Sequence, residues 1–504
     1  MDLPRSQHQP STAPRRAWVE TYGCQMNISD GELMQGILAA GGFGMATSPE
    51  DADVILINTC AIREHAEQRV LGRVGELNRL KRERPDLVIG VTGCMAQRMG
   101  ETLLERAPYV DLVMGPDGYR GLPDVLRRLR PHDSAVPVDV PESEPRGAGQ
   151  HVRRSLPVLA TAEAAVAGSG TGEFATSHTP RRMALLELTA DENYEGLEVR
   201  RTSPVSAWIP VQRGCNYRCT YCIVPYVRGA EKNRDPQRIL DEVAQVARSG
   251  ITEVVLLGQT VNSWNHDDWS FARLLRAVAR TDGIRRVRFT SPHPNDLTDD
   301  LIDAMAAEPA VCRQLHLPVQ AGHDRTLRRM LRRYTVAEYM AKVRRVRDAM
   351  PDIALSTDII VAFPGETDDE YAATLELLRV VRFDDAFLYK YSERAGTPAT
   401  RLPRDQFIAP QVAQRRLEHI IEMQRAIQAE INAAEVGRTV DVLVEREAKS
   451  PGDVLGRTDR NKVVAFPGDT SLVNRYLTVQ LTATTGATFR GVVSGRSRPA
   501  HRVA

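Results

Sequence analysis

The chain has 504 residues, of which 42% are hydrophobic and 26% charged, and its formal net charge is +1. This length predicts about three domains, and the balanced charge excludes a globally basic nucleic-acid-binding protein, so any basic surface must be local. No apolar run approaches the roughly twenty residues of a membrane span, and residues 1–16 lack the apolar stretch of a secretion signal. We therefore expect a cytoplasmic protein with no membrane segment.

After a predicted disordered tail at residues 1–15, residues 16–131 alternate apolar strands with helices. The predicted strands are 17–21, 53–57 and 87–91, and the predicted helices between them are 30–40 and 63–82. Continuous apolar strands that alternate with helices indicate a parallel sheet buried on both faces. The first domain is therefore predicted to be a parallel α/β domain of the Rossmann-like kind.

Each of these three strands ends beside a cysteine, namely Cys24, Cys60 and Cys94. Ligands of parallel sheets bind at the carboxyl ends of the strands, so we expect the three cysteines to meet in space. The alternative is three small buried hydrophobic residues, a common use of free cysteine. A core cysteine would fall inside a strand, however, and not repeatedly just past its end. We predict a metal site with three thiolate ligands.

Residues 132–200 are predicted to be a linker or insertion that is partly disordered, because Pro, Ser, Gly, Ala and acidic residues dominate its first fifty positions. Its glycine-rich stretch, 167–172, follows no predicted strand and lacks a Lys-Ser/Thr pair. It is therefore not a phosphate-binding loop.

Residues 201–433 are predicted to form six strand-then-helix units. The predicted strands are 207–211, 253–257, 286–290, 314–319, 355–361 and 384–389. Pro236 marks the first turn of one helix, and capping boxes begin at Thr335 and Thr367. Successive right-handed crossovers curl a parallel sheet into a barrel, here a partial (βα)6 barrel. The arginine-rich segment 327–347 is interpreted as a solvated helix face.

Three cysteines spaced CxxxCxxC, Cys215, Cys219 and Cys222, follow the first strand of this barrel. They lie at the carboxyl-end rim, where barrel active sites are found. Three thiolates hold three irons of a [4Fe–4S] cluster and leave the fourth iron open to a small molecule. Structural zinc prefers four protein ligands, and disulfides need an oxidising compartment, so we favour the cluster. The seventh cysteine, Cys312, is interpreted as structural.

Residues 434–500, after a long amphipathic helix predicted at 410–435, change to strand periodicity. Five short β-rich segments in about sixty residues predict a small β-barrel, similar to an OB-fold. From residue 435 onward there are eleven Lys/Arg and seven Asp/Glu, a difference of +4. This modest basic bias suits a nucleic-acid backbone.

With both cysteine sets placed, the chain resembles the radical S-adenosylmethionine (SAM) methylthiotransferase family over nearly all its length except the tail and residues 132–182. The resemblance implies two [4Fe–4S] clusters and SAM as cofactors, and its last segment resembles the family's RNA-binding TRAM barrel. The ligands so implied are Cys215, Cys219 and Cys222 for the radical SAM cluster, and Cys24, Cys60 and Cys94 for the auxiliary cluster.

Two motifs, at 21–27 and 58–64, resemble the branch of this family that acts on tRNA isopentenyladenosine. The branch acting on a ribosomal protein typically has Pro-Lys where this chain has Gln25 and Met26. The resemblance implies methylthiolation of carbon 2 of N(6)-isopentenyl (dimethylallyl) adenosine at position 37, beside the anticodon, with a second SAM as methyl donor. Alternatives are methylthiolation of threonylcarbamoyl-adenosine in tRNA or of a ribosomal protein, and a non-catalytic iron–sulfur RNA-binding protein.

Other site residues follow from the same resemblance. Gly258 and Gln259, at the end of the second barrel strand, are expected to bind the amino group of SAM. Tyr221 is expected either to pack on the adenine of SAM or to pack at the barrel rim. Arg228 and Arg234 are candidates for a tRNA phosphate or the SAM carboxylate. The implied partners are the modified tRNA and a flavodoxin- or ferredoxin-like electron donor; the sulfur source is unknown, and we expect a monomer.

Overall fold

The computed structural model describes residues 15–60, 64–129 and 182–496. The predicted tail therefore lies outside the described residues except for Arg15, as does the predicted linker up to residue 181. The chain divides into two compact units, Met1–Thr189 with Gly196–Arg200, and Ala190–Glu195 with Arg201–Ala504. Within the described ranges, no helix has both the length and the apolar character needed to cross a membrane.

The first unit is built on a six-stranded parallel sheet with the order β2-β1-β3-β4-β5-β6. Its strands are β1 (Arg16–Tyr22), β2 (Gly44–Met45), β3 (Val54–Thr59), β4 (Val88–Thr92), β5 (Leu112–Met114) and β6 (Met183–Leu185). Its helices are α1 (Gln25–Ala40), α2 (Glu64–Glu83), α3 (Cys94–Met99), α4 (Thr102–Arg106) and α5 (Leu122–Leu129). The predicted parallel α/β architecture is confirmed.

Strands β3 and β4 are completely buried, because the continuous apolar runs that form them are covered on both faces, as parallel sheets require. The sequence prediction differs at residues 183–200, which it assigned to the linker. Strand β6 instead pairs with β5 and extends the sheet by one strand. Three apolar residues beside a long polar stretch are too short a run to show strand periodicity.

The second unit contains the predicted barrel. Its strands up to residue 390 are β7 (Ser206–Pro210), β8 (Gln212–Arg213), β9 (Lys232–Asn233), β10 (Glu253–Leu257), β11 (Asn265–His266), β12 (Trp269–Ser270), β13 (Arg286–Phe289), β14 (Gln314–His316), β15 (Ala354–Val361) and β16 (Asp385–Lys390). Its helices are α6 (Val224–Val227), α7 (Pro236–Arg248), α8 (Phe271–Ala279), α9 (Asp299–Ala307), α10 (Asp324–Arg329), α11 (Val336–Ala349), α12 (Asp368–Val381) and α13 (Pro410–Ala433).

Six of these strands form the partial barrel as two parallel three-stranded sheets, β7-β10-β13 and β14-β15-β16. A parallel bridge between Val287 and Val311 joins the two sheets. Helix α7 buries Ile239, Val243 and Val246 against this core, and the Asp235 side chain caps its first turn. Both predicted capping boxes are present, at the starts of α11 and α12. The partial (βα)6 barrel is confirmed.

The last region is a closed five-stranded barrel with the order β17-β18-β19-β21-β20. Its strands are β17 (Thr439–Glu447), β18 (Asp453–Thr458), β19 (Val463–Pro467), β20 (Tyr476–Thr484) and β21 (Thr488–Arg496). Val464, Phe466 and Phe489 are fully buried in its centre. Gly456 allows close packing of β18 on β17, because a Cβ there would lie only 2.6 Å from the carbonyl oxygen of Leu443. The predicted small β-barrel is confirmed.

Candidate active site

The loop that carries Cys215, Cys219 and Cys222 leaves β8 at the carboxyl end of the large barrel and ends in α6. It starts at Gly214, whose φ is 73° and where a Cβ would collide with the carbonyl of Ala230. The backbone N–H of Cys215 donates to the Gly229 carbonyl over 3.1 Å, and that of Cys222 donates to the Cys219 carbonyl over 3.0 Å. These bonds hold the three cysteines in one compact turn.

The three thiols influence one another electrostatically. Burial, and then the neighbouring Cys219, raises the pKa of Cys222 to about 12, with Cys215 contributing in the same direction. Burial also raises the pKa of Cys215. Iron reverses this preference, because a coordinating thiol loses its proton to the metal's charge. Three neighbouring thiols, one buried and two half-buried, therefore fit a [4Fe–4S] cluster.

Among the described residues, no three His, Cys, Asp or Glu side chains surround a position for a single metal ion.

A chain of polar side chains connects the cysteine loop to the second barrel strand. The Sγ of Cys215 and the Oγ1 of Thr260 are 3.2 Å apart. The backbone N–H of Thr260 donates to Oε1 of the fully buried Gln212 over 3.0 Å. Gln212 in turn donates to Ser263, which donates to Glu231 over 2.9 Å. These bonds fix the position of Cys215 relative to the end of β10.

The same loop is held from the other side by ring stacking. Tyr217 stacks on His293 with ring centroids 3.8 Å apart, and its hydroxyl donates to Asp296 over 2.9 Å. The backbone N–H of Asn295 donates to Nδ1 of His293. Burial, assisted by the positive charge of Arg332, lowers the pKa of His293 to about 2. The imidazole is therefore neutral at ordinary pH.

Arg332 is a site residue that the sequence analysis missed. It is 7% exposed, and its Nη1 lies 3.6 Å from the Sγ of Cys219. The sequence analysis placed it in a solvated helix. The helix instead ends at Arg329, and the backbone turns at Leu331, whose φ is 55°. No periodic pattern distinguishes Arg332 from the exposed arginines beside it, so the sequence carries no signal for its burial.

Gly258 and Gln259 follow directly after β10, as predicted. A Cβ on Gly258 would lie 2.8 Å from the Cα of Val261, so glycine allows the chain to turn tightly there. The Oε1 atom of Gln259 is buried and has no hydrogen-bond partner within the described part of the chain. A buried acceptor of this kind costs free energy unless a ligand donates to it.

The remaining candidates have mainly structural contacts. Tyr221 packs edge-on against Phe363, with ring centroids 6.4 Å apart. Arg234 donates to the Pro210 carbonyl over 2.7 Å and to Glu242 over 2.8 Å, so it holds the start of the barrel and not an external phosphate. Arg228 is 2% exposed and is likewise away from the surface.

The second cysteine set lies at one edge of the first unit's sheet. Cys24 lies between β1 and α1, Cys60 follows β3, and Cys94 begins α3 after β4. Strand β3 pairs with both β1 and β4, so the three cysteines follow neighbouring strands. Gly23 has a φ of 130°, and a Cβ there would lie 2.6 Å from the Cβ of Cys60. The turns after β1 and β3 are therefore in direct contact.

Two buried asparagines connect these turns. The Cys24 thiol donates to Oδ1 of Asn27 over 3.1 Å. Asn27 donates to Asn58 over 3.3 Å, and Asn58 donates back to the Asn27 carbonyl over 2.7 Å. Cys60 and Cys94 are 3% and 6% exposed. Three thiols at adjacent strand ends fit a second cluster with three protein ligands.

Comparisons with known proteins match all three regions. Residues 16–115 match the family described as "Uncharacterized protein family UPF0004", residues 209–378 the radical SAM superfamily, and residues 433–493 the TRAM domain. The chain is 40% identical over 476 residues to a tRNA-2-methylthio-N(6)-dimethylallyladenosine synthase from Carboxydothermus hydrogenoformans, covering 93% of this chain and 97% of the relative. It is 39% identical to the protein of the same name from Chlorobium luteolum, covering 96% and 98%.

A solved structure has a similar fold. It is the radical SAM methyltransferase TsrM from Kitasatospora setae, with a TM-score of 0.52 and 14% identity over 82% of this chain and 89% of that chain. Identity this low supports the fold alone.

Proposed function

This chain belongs to the family of tRNA-2-methylthio-N(6)-dimethylallyladenosine synthases, and from that premise we propose how its residues perform the reaction. The enzyme is a radical SAM methylthiotransferase that uses SAM and [4Fe–4S] clusters and acts on tRNA. It methylthiolates carbon 2 of N(6)-isopentenyl (dimethylallyl) adenosine, and we place this base at position 37. The observation that carries the proposal is the pair of three-cysteine sets, each at the carboxyl ends of parallel strands.

The hydrogen on carbon 2 of adenine is not acidic, so a side-chain base has little to act on. A [4Fe–4S] cluster with SAM, when bound, supplies radical chemistry that can break such a C–H bond. In this proposal Cys215, Cys219 and Cys222 hold the cluster that activates SAM. Cys24, Cys60 and Cys94 hold the cluster from which sulfur is delivered.

The remaining residues of the site orient the reactants. Oε1 of Gln259, which is buried without a partner in the described part of the chain, would accept a hydrogen bond from the amino group of SAM. Gly258 lets the backbone approach the same group. Tyr221 packs beside it at the barrel rim. Thr260 and Gln212 fix the cysteine loop at Cys215, so that a cluster held there would lie beside the end of β10.

The small barrel supports the RNA substrate. Exposed basic side chains on it include Arg438, Lys449 and Arg475, which suit contacts with phosphates that hold tRNA without reading its sequence. We further propose that the enzyme acts as a monomer in the cytoplasm, where its tRNA substrate is made. A flavodoxin- or ferredoxin-like protein is the proposed electron donor, and the source of sulfur is not assigned.

The proposal is tested with anaerobically reconstituted enzyme, dithionite, SAM and isopentenylated tRNA. We expect the methylthio nucleoside in digested tRNA, detected by mass spectrometry, and no product with tRNA that lacks the isopentenyl group. Threonylcarbamoylated tRNA and a ribosomal protein are offered in parallel. Product on either of these and none on isopentenylated tRNA would refute the substrate assignment, and release of no 5′-deoxyadenosine at all would refute catalysis.

A further inference from the structure

Arg332 holds its guanidinium group in the protein interior beside one cysteine of the CxxxCxxC loop. Its Nη1 donates to the Sγ of Cys219 over 3.6 Å, and its Nη2 donates to the Pro318 carbonyl over 3.0 Å. Its Nε donates to the hydroxyl of Tyr334 over 3.0 Å. Tyr334 donates in turn to the Val319 carbonyl over 2.8 Å. These bonds fix the cation in one orientation, with one N–H directed at the sulfur.

Arg332 forms no salt bridge in the described part of the chain, where its hydrogen bonds go to Cys219, Pro318 and Tyr334. The carboxyl group of Asp296 interacts with its charge electrostatically but does not pair with it directly. Two other arginines with the same 7% exposure do form a salt bridge: Arg288 pairs with Glu253 over 3.1 Å, and Arg416 pairs with Glu366 over 2.7 Å. An isolated buried charge is costly, whereas a paired one is tolerated. Arginine does not lose its proton in a protein, so a negative group bound beside Cys219 would stabilise the buried charge of Arg332 further.

A [4Fe–4S] cluster at the CxxxCxxC loop supplies that negative charge. Three thiolates leave an oxidised cluster with one net negative charge, and uptake of one electron from a reductant leaves it with two. A fixed cation stabilises the reduced form more, because attraction grows with the charge of the partner. Hydrogen bonds to the sulfurs and net charge are among the factors that set the potential of such clusters.

We propose that Arg332 is a positioning residue that raises the reduction potential of the cluster bound by Cys215, Cys219 and Cys222. It acts through the sulfur of Cys219 and makes the cluster easier to reduce by a one-electron donor. The proposal rests on the proposed function in one respect, that a cluster is bound at this loop. It does not depend on the tRNA substrate or on delivery of sulfur.

The test needs a protein with this cluster alone. Replacing Cys24, Cys60 and Cys94 by alanine in the full chain removes the second thiol set and provides the parent for all variants. Arg332→Gln removes the charge and retains a polar side chain, whereas Arg332→Lys retains the charge without the planar fork. Iron and sulfide are determined first, and the reduced cluster is then followed by electron paramagnetic resonance during an anaerobic redox titration without SAM.

At the parent's midpoint potential, we expect Arg332→Gln to lower the ratio of reduced to oxidised cluster about tenfold, which is about 59 mV for a one-electron couple. Arg332→Lys should recover most of this loss. A midpoint equal to the parent's in both variants would overturn the proposal. If Arg332→Gln binds no iron, the proposal is tested with Arg332→Lys alone. A midpoint potential of Arg332→Lys equal to the parent's would then assign Arg332 a purely structural role.

A matched control is Arg416→Gln, which removes an equally buried arginine that does not contact a cysteine. Arg416→Gln should lower thermal stability and leave the midpoint potential of the cluster unchanged. A shift of the midpoint potential as large as that of Arg332→Gln would also overturn the proposal. Because the titration contains no tRNA, its failure leaves the methylthiolation proposal intact. If Arg332→Gln shifts the midpoint potential but the enzyme forms no methylthiolated tRNA, only the proposed methylthiolation is refuted.

Discussion

The two ends of the six-stranded barrel differ in the polar groups that lie beside the ends of the strands. At the carboxyl ends, three thiols meet and Oε1 of Gln259 is buried without a partner among the described residues. At the amino ends, buried charges are paired: Glu253 with Arg288 over 3.1 Å, and Asp384 with Lys462 over 2.8 Å. The carboxyl end has a buried pair of its own, Arg416 with Glu366 over 2.7 Å, but it also keeps thiols and an amide oxygen that a ligand can use. The buried charges named at the amino end bind one another and contribute to stability.

The amino end of the barrel is covered by the small β-barrel. Arg286 donates to the carbonyls of Arg457 and Asp441, over 2.7 and 2.8 Å. Arg288 donates to the carbonyls of Thr458 and Asp459, over 2.6 and 3.0 Å. The turn between β18 and β19 is therefore bonded to the first residues of the barrel strands.

This contact fixes the small barrel at the end opposite to the cysteine loop. The eight residues of β15 span roughly 25 Å at a rise of about 3.3 Å per residue. The small barrel and the cysteine loop are therefore separated by about the length of these strands.

The largest effect is expected from a change at the carboxyl end. Cys219→Ala removes one of three iron ligands and should abolish both cleavage of SAM and methylthiolation. Cys312→Ala, at a buried cysteine away from both sets, should retain both activities. Release of 5′-deoxyadenosine is measured by chromatography. Full SAM cleavage by Cys219→Ala would contradict the assignment of this loop.

At the amino end, Arg288→Met should lower stability with no direct effect on the chemistry. It leaves Glu253 buried without its partner, which costs about 3–5 kcal/mol. Arg490→Met breaks a pair in which the arginine is half exposed and Asp453 is partly covered, and it should cost about 1 kcal/mol or less. Thermal unfolding followed by circular dichroism compares the two variants. Equal melting temperatures would show that the amino end does not depend on its buried pair.

A smaller effect, on the binding of SAM, is expected from a change at Gln259. Gln259→Ala removes the buried acceptor, and a lost hydrogen bond to a charged group costs about 1.5–3 kcal/mol. Binding of SAM should weaken at least about tenfold, measured by calorimetry on the reconstituted protein. Thermal stability should not fall, because the Oε1 atom has no protein partner to lose. Unchanged affinity would refute the proposed contact with the amino group.

The smallest effect concerns pH. Burial lowers the pKa of His293 to about 2, whereas unfolding restores a value near 6.5. Below about pH 6.5, His293 therefore binds a proton in the unfolded chain but not in the folded chain, so the free energy of unfolding falls as the pH drops. Between pH 6.5 and 5.5, the metal-free protein should lose about 1 kcal/mol more than His293→Asn does. The free energy of unfolding is measured by urea titration at each pH. The same pH dependence in the metal-free protein and in His293→Asn would contradict this prediction.

The sequence was sufficient for the features that local patterns encode. Strand β10 begins and ends where its apolar run predicts, and the capping boxes at Thr335 and Thr367 form as their spacing requires. The cysteines after β1, β3 and β4 follow neighbouring strands at one sheet edge because parallel strands place their carboxyl ends together. These features depend on residues that are close in sequence or on the topology of the sheet.

The features that were missed depend on distant contacts. Arg332 is buried because the chain reverses at Leu331, and its sulfur partner is 113 positions away. Arg288 forms strand β13 as predicted, but its carbonyl acceptors lie 170 and 171 positions further along the chain. Neither spacing produces a periodic signal, so only the folded structure reveals which arginines are paired.

The central claim is that one chain binds two clusters with separate ligand sets. It is tested by iron and sulfide content after anaerobic reconstitution of the wild type, Cys219→Ala and Cys60→Ala. We predict roughly eight iron and eight sulfide per wild-type chain, and roughly four of each in either variant. Cys60→Ala should still cleave SAM but not methylthiolate tRNA. A wild-type chain with four iron, or loss of all iron in one variant, would contradict two independent sites.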